Sequence, residues 1–308
     1  MSGPSRALVG ATAAMCLMAP HPRATMPVSA QRAAADSMIV STAWLAERLG
    51  GARLVVLHIG ERAEYEKGHI PGAQFLSREE ILAPSSAGRR YELPPVAQLE
   101  AALEEVGVSN DSRIVLYFGD DWTNTTARAY FTLDYLGLGD QSSILDGGLP
   151  AWRKAGQPVT TEVVEASRGS LTPRPRSELV VDAAWMEANL EAPRVAILDA
   201  RTADFYSGAR AGSYPRQGHI PGAANVPYRS VMHQDSLTFK SREVLGGLLT
   251  AAGVESGDVV ITYCHTGIQA TLLYFVARHL GYEVHLYDGS FEEWSAREDL
   301  PVVGPGRG

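Results

Sequence analysis

The hexapeptide "GHIPGA" occurs twice in the chain, at Gly68–Ala73 and at Gly218–Ala223, letter for letter and 150 positions apart. That spacing is about one domain length and far exceeds the roughly 20–50-residue period of stacked repeats, so it points to two copies of a whole domain within 308 residues. The surrounding sequence agrees. "ARLVVLHIGERAEYEKGHIPGA" (Ala52–Ala73) and "PRVAILDARTADFYSGARAGSYPRQGHIPGA" (Pro193–Ala223) share an apolar run, a short polar helix and the hexapeptide, the second with a longer insert. Further on, "SRIVLYF" pairs with "GDVVITYC", "AYFTLDYLGL" with "LYFVARHLGY", and "ILDGGLPAW" with "LYDGSFEEW".

Short unbroken apolar runs such as "VVITY" are the mark of strands buried on both faces, hence of a parallel sheet covered by helices. Helices are expected over Pro95–Val106, Thr125–Leu136, Arg242–Ala252 and Ile268–Leu280. The alternation predicts an α/β chain of two three-layer αβα domains, over 38–159 and 179–303, each with a mainly parallel central sheet. "TTEVVEASRGSLTPRPRSE" (Thr160–Glu178) has neither period and carries Pro173 and Pro175, so it reads as a linker. Within the hexapeptide, Gly68 and Gly218 suit helix C-caps and Pro-Gly a turn. His69 and His219 then read as hydrogen-bonding turn residues, since both halves keep them.

The charge balance narrows the partners. Net charge is −8 and no block of Lys and Arg is present, so nucleic acid is excluded as an expected partner. Arg6 precedes the apolar run Ala7–Ala19, and "VSA" ends at Ala30. Residues 1–30 therefore read as a secretory signal cleaved after Ala30, with a periplasmic or secreted product that has no membrane attachment; the alternative is an Ala-rich tail on a cytoplasmic protein. Cys16 would leave with the signal. Cys264 would remain as the one cysteine, unable to form an internal disulfide, and would serve either as apolar filler or for its reactivity.

The halves diverge where chemistry is expected. After "VITYC" the second half reads "CHTGIQA" (Cys264–Ala270) and enters a helix, whereas the first has Phe118 and the longer loop "GDDWTNTT". A thiol at the carboxyl end of a parallel strand, just before a helix, lies where open α/β sheets bind ligands. Loop amides and the helix N-terminus there lower a thiol pKa and receive an anion, and Gly267 permits the tight turn.

On these residues the chain resembles the tandem-domain rhodaneses, the thiosulfate and 3-mercaptopyruvate sulfurtransferases. The resemblance runs from about Met38 to Val303 and rests on the two hexapeptides, on "YCHTGIQA" and on Asp288, Gly289 and Trp294. It implies that the first domain is an inactive copy. It also implies that the Cys264 thiolate takes a sulfane sulfur from a small anionic donor, holds it as a persulfide and yields it to cyanide or a thiol. The backbone of His265, Thr266, Gly267, Ile268 and Gln269 would stabilise that persulfide, with the Thr266 hydroxyl as a further donor. No cofactor or metal is called for, and the expected state is a monomer.

Asp199 and Arg201 match the family's Asp-x-Arg, with Ile59 and Glu61 in the matching places of the first half. Arg201 is either a holder of the donor's anionic end or one side of a surface ion pair with Asp199. Arg210 and Arg216 in the insert are further candidates. The loop lacks the cations of thiosulfate-preferring animal members and the "CGSGVTA" of mercaptopyruvate-preferring ones, which leaves thiosulfate slightly favoured. A non-catalytic persulfide carrier or redox sensor acting through Cys264 is the competing reading. A phosphatase would need a loop one residue longer with an Arg, and a cysteine-protease dyad is disfavoured because neighbouring side chains diverge.

Overall fold

A computed structural model describes residues 38–84, 90–120 and 123–305. The segment read as a signal lies outside them. The described chain forms two five-stranded sheets whose strand pairs are all parallel. The first has the order β1-β5-β4-β2-β3, with β1 Ile39–Val40, β2 Leu54–Ile59, β3 Gln74–Leu76, β4 Arg113–Phe118 and β5 Ser142–Leu145. The second repeats it as β6-β10-β9-β7-β8, with β6 Val180–Val181, β7 Val195–Asp199, β8 Ala224–Asn225, β9 Val259–Tyr263 and β10 Glu283–Tyr287. The expected helices occur at Val96–Glu105, Thr123–Tyr135, Arg242–Ala251 and Ala270–Leu280.

The recurrence of "GHIPGA" has a physical cause at nearly every letter. Ile70 and Ile220 donate their N–H groups to the hydroxyls of Tyr117 and Tyr263, each at 3.2 Å on the central strand of its sheet. His69 and His219 stack on Tyr65 and Tyr206 with centroids 3.8 Å apart, and each places Nδ1 on that tyrosine's carbonyl. Ile-Pro-Gly-Ala closes a turn, Ala73 N–H to Ile70 C=O at 3.0 Å and Ala223 to Ile220 at 3.1 Å, with Gly72 and Gly222 at φ of 77° and 75° as the third residue of a type II turn requires. A Cβ on Gly218 would lie 1.9 Å from the Val303 carbonyl oxygen. Gly68 caps its helix as expected. Gly218 does not, because the insert separates it from the helix Ala203–Tyr206.

Helices Thr123–Tyr135 and Ala270–Leu280 are buried nearly all round and pack on each other between the sheets, the second mostly apolar and the first carrying buried Thr126, Arg128, Thr132 and Asp134. Tyr130 meets Phe275 and Phe131 meets Tyr274 edge to face at 4.7 and 4.8 Å. Asp134 accepts from Tyr274 at 2.7 Å and pairs with Arg278 and Arg176. One apolar core therefore runs through both halves. The halves also clasp each other reciprocally: Leu93 N–H reaches Asp288 in the second half at 3.0 Å, and Phe239 N–H reaches Asp146 in the first at 2.8 Å.

Strand register revises one correspondence. Asp199 faces Tyr263 and His58 faces Tyr117, so the first half places His58 and Gly60, not Ile59 and Glu61, opposite Asp199 and Arg201. His58 is fully buried, and neither ring nitrogen has a partner among the described residues. Burial, then His69 and Arg153, pull its pKa down to about 4 against the pull of Asp120. Between pH 6.5 and 4 the unfolded chain thus binds a proton that folded His58 does not, so stability falls as pH falls. The loss is about 2 kcal/mol by pH 5 for one such group. His265 carries a like shift. Urea titrations at pH 7 and pH 5 are expected to give His58→Gln about half the wild-type pH slope.

Candidate active site

Cys264 follows β9 directly and is fully buried. The backbone N–H groups of Thr266, Gly267, Gln269 and Ala270 turn toward its sulfur and each favours the thiolate, with Gly267 at φ 87° in the left-handed region that makes this convergence possible. The thiol pKa is nonetheless pushed up, because burial outweighs the four amides. The sequence revealed the amides but not the depth, and its expectation of a lowered value is corrected on that ground.

A second contrast between the halves supports the loop from below. Ser290 adopts φ 53°, rare for a residue with a Cβ; its Oγ accepts the Cys264 N–H at 3.2 Å and donates to the Tyr287 carbonyl at 2.9 Å. Gly148 occupies the corresponding place in the first half, where a Cβ would lie 2.6 Å from the Phe118 ring. Phenyl with glycine in one domain and thiol with serine in the other are thus linked choices. The "DGG" against "DGS" difference was the visible signal, and its meaning needed the fold.

Asp199 and Arg201 form a buried pair, not a surface one. Arg201 Nε lies 3.0 and 3.1 Å from the two Asp199 oxygens, Nη2 also bonds the Gly218 carbonyl at 2.8 Å, and the guanidinium stacks 3.9 Å over the Phe291 ring. Its Nη1 is buried without a partner among the described residues. Burial first and Arg201 second hold the His265 pKa down to about 4, with smaller pushes from Arg90 and Arg210, so the loop's one titratable cation stays neutral.

His265, Thr266, Ile268 and Gln269 line a cleft of about 300 Å³ whose other wall is Arg78, Tyr91, Asn124 and Thr125 of the first domain. None of the four first-domain residues was legible as a site residue, since they approach the loop only through domain packing. Arg90 ties the same first-domain segment to Glu292 at 2.7 Å. Buried Arg128 pairs with Asp288 beneath the loop, at 2.5 Å from Nη1 to Oδ1.

Of the two arginines in the insert, Arg210 stacks on Phe205 and pairs with Asp204 at 3.6 Å near the site. Arg216 points elsewhere: it donates to the carbonyls of Trp294, Ser295, Arg297 and Leu300, closing the last helix and the turn after it. This corrects its reading as a site candidate. Arg216→Ala is expected to lower stability by about 2–3 kcal/mol, because buried carbonyls lose a charged donor. Activity per folded molecule should stay unchanged, as urea unfolding and a folded-fraction-corrected assay will show.

A family model described as the rhodanese-like domain matches residues 41–155 and again 182–297. A Mycobacterium tuberculosis protein named as a thiosulfate sulfurtransferase, SseB, is 37% identical over 80% of this chain and 86% of its own. A Pseudomonas aeruginosa protein named as a 3-mercaptopyruvate sulfurtransferase is 32% identical over 87% and 98%. The crystal structure of the 3-mercaptopyruvate sulfurtransferase SseA from Escherichia coli superposes with a TM-score of 0.73 at 26% identity, covering 83% of this chain and 99% of that one.

Proposed function

Because the chain belongs to the rhodanese family of sulfurtransferases, we propose that it moves a sulfane sulfur from thiosulfate, or less favourably from 3-mercaptopyruvate, through a persulfide on Cys264. The observation that carries this reading is the convergence of four backbone N–H groups on the Cys264 sulfur. They neutralise a thiolate once the donor has displaced water, and they stabilise the anionic outer sulfur of the persulfide afterwards. Thiolate attack on the outer sulfur breaks the S–S bond of thiosulfate and releases sulfite with the bonding pair. Cyanide or an acceptor thiolate then takes the outer sulfur, and Cys264 leaves as thiolate. The unpartnered Arg201 Nη1 and the neutral ring of His265 suit the donor's anionic end. The slight preference for thiosulfate rests on the loop sequence.

The full burial of Cys264 favours one competing reading, a module that holds sulfur without turnover. Intact-mass measurement after brief exposure to thiosulfate or to 3-mercaptopyruvate, with Cys264→Ser alongside, separates the two. A gain of one sulfur in the wild type alone, lost to cyanide with repeated turnover, supports transfer. Loading without turnover supports the carrier, and no loading by either donor removes the proposed function.

A further inference from the structure

The insert Ser207–Gln217, which the first half lacks, lays an aromatic side chain against the persulfide loop. Tyr214 stacks on His265 with an interplanar angle of 7° and centroids 5.7 Å apart, and it meets Phe291 edge-on at 5.3 Å. Phe205 closes on the His265 ring from another side at 4.6 Å and 84°. The Tyr214 hydroxyl is hydrogen-bonded to His265 Nδ1. The imidazole is therefore held by three aromatic rings from outside its own loop, two directly and one through Tyr214, and by one polar contact.

We propose that Tyr214 is a positioning residue that fixes His265 as the tautomer protonated on Nε2, making the ring a neutral hydrogen-bond donor to the anionic end of the sulfur donor. The proton count supports this direction. Tyr214 keeps its hydrogen, because burial and then the nearby charge of Cys264 push its pKa up. His265 is neutral, so one ring nitrogen accepts and the other donates. Were Nδ1 the donor, the Tyr214 hydrogen would need another acceptor, and among the described residues no other hydrogen bond is found for that hydroxyl. The hydroxyl therefore donates to Nδ1, and Nε2 carries the ring hydrogen.

His265 lines the cleft, and Nδ1 is occupied by the insert, which leaves Nε2 as the ring's polar atom for a bound anion. Arg201, Arg90 and Arg210 surround the ring with positive charge while Asp199 opposes them. A neutral donor in that setting stabilises departing sulfite without handing a proton to the adjacent Cys264 thiolate, which an imidazolium would do. The proposal deepens the sulfur-transfer reading and rests on it for its chemistry.

The test uses the full chain labelled with ¹⁵N-histidine, and His265→Gln identifies the His265 signals. Long-range proton–nitrogen spectra at pH 7 are expected to show a protonated Nε2 and a bare Nδ1 in the wild type, drifting toward averaged values in Tyr214→Phe. In thiosulfate-to-cyanide assays Tyr214→Phe, which keeps the ring stacking, should lower kcat/KM about tenfold. That loss should vanish in the His265→Gln background, where no tautomer remains to be set. A wild-type spectrum with Nδ1 protonated overturns the proposal, as does an undiminished Tyr214→Phe loss in the Gln background. Failure of the wild type to turn over thiosulfate would sink the sulfur-transfer reading instead, while the spectrum still decides the pairing.

Discussion

Asp288→Ala is expected to lower the unfolding free energy by about 3–5 kcal/mol, because it leaves the Arg128 guanidinium charged, buried and unpaired. Arg128 has no exposed side-chain surface and lies in the helix Thr123–Tyr135 of the first domain, whereas Asp288 follows β10 of the second. The carboxylate also accepts the Leu93 N–H at 3.0 Å, so its loss breaks two links between domains at once. Urea unfolding followed by tryptophan fluorescence measures the cost. A pair of apolar replacements, Arg128→Met with Asp288→Leu, should recover most of it, because the desolvation cost of the charges disappears with them. A loss below about 1 kcal/mol for Asp288→Ala would mean that water reaches the guanidinium, as in an exposed pair.

This coupling explains why a domain without a thiol remains part of the machine. The first domain has Phe118 where the second has Cys264, but it still supplies Tyr91, Asn124 and Thr125 to the cleft and Arg128 to the floor under the loop. The sequence could signal the difference, because Phe118 against Cys264 is a contrast at one aligned position. It could not signal what was kept, because those residues meet the second domain only through the packing of two buried helices. Matching Asp199 to Ile59 by sequence is also one residue off, because His58 pairs with Tyr117 as Asp199 pairs with Tyr263. Strand pairing fixes that register through Tyr117 and Tyr263, which carry no mark of their partners in the sequence.

The two parallel sheets, by contrast, were legible from unbroken apolar runs, since a strand covered on both faces has no polar positions to alternate. The loop amides were legible from the strand–Cys–Gly–helix order. Thiol depth was not, because burial is the sum of many distant contacts. The same limit hid Tyr214: the insert is plain in the sequence, but the residue it delivers to His265 depends on how the segment folds back.

Gly267→Ala joins the two themes, the loop and the floor beneath it. Gly267 sits at φ 87°, and a Cβ there would lie 2.4 Å from Asp288 Oδ1 and 2.9 Å from the Asp288 carbonyl oxygen. The left-handed backbone alone costs a residue with a side chain about 1–2 kcal/mol. The carbonyl is backbone and cannot swing away, so the loop must move, and the Thr266 and Gly267 amides turn off the sulfur. Losing oxyanion-type donors costs on the order of 100-fold or more in rate, so the rate of sulfur loading by rapid-quench mass analysis should fall by at least that factor. Gly253→Ala provides the control: its φ is 85° and a Cβ would meet nothing within 4 Å, so it carries the backbone strain without the collision. It should lose about 1 kcal/mol of stability and no loading rate. Equal loading defects in the two variants would mean that strain, and not the geometry of the amides around Cys264, sets the rate.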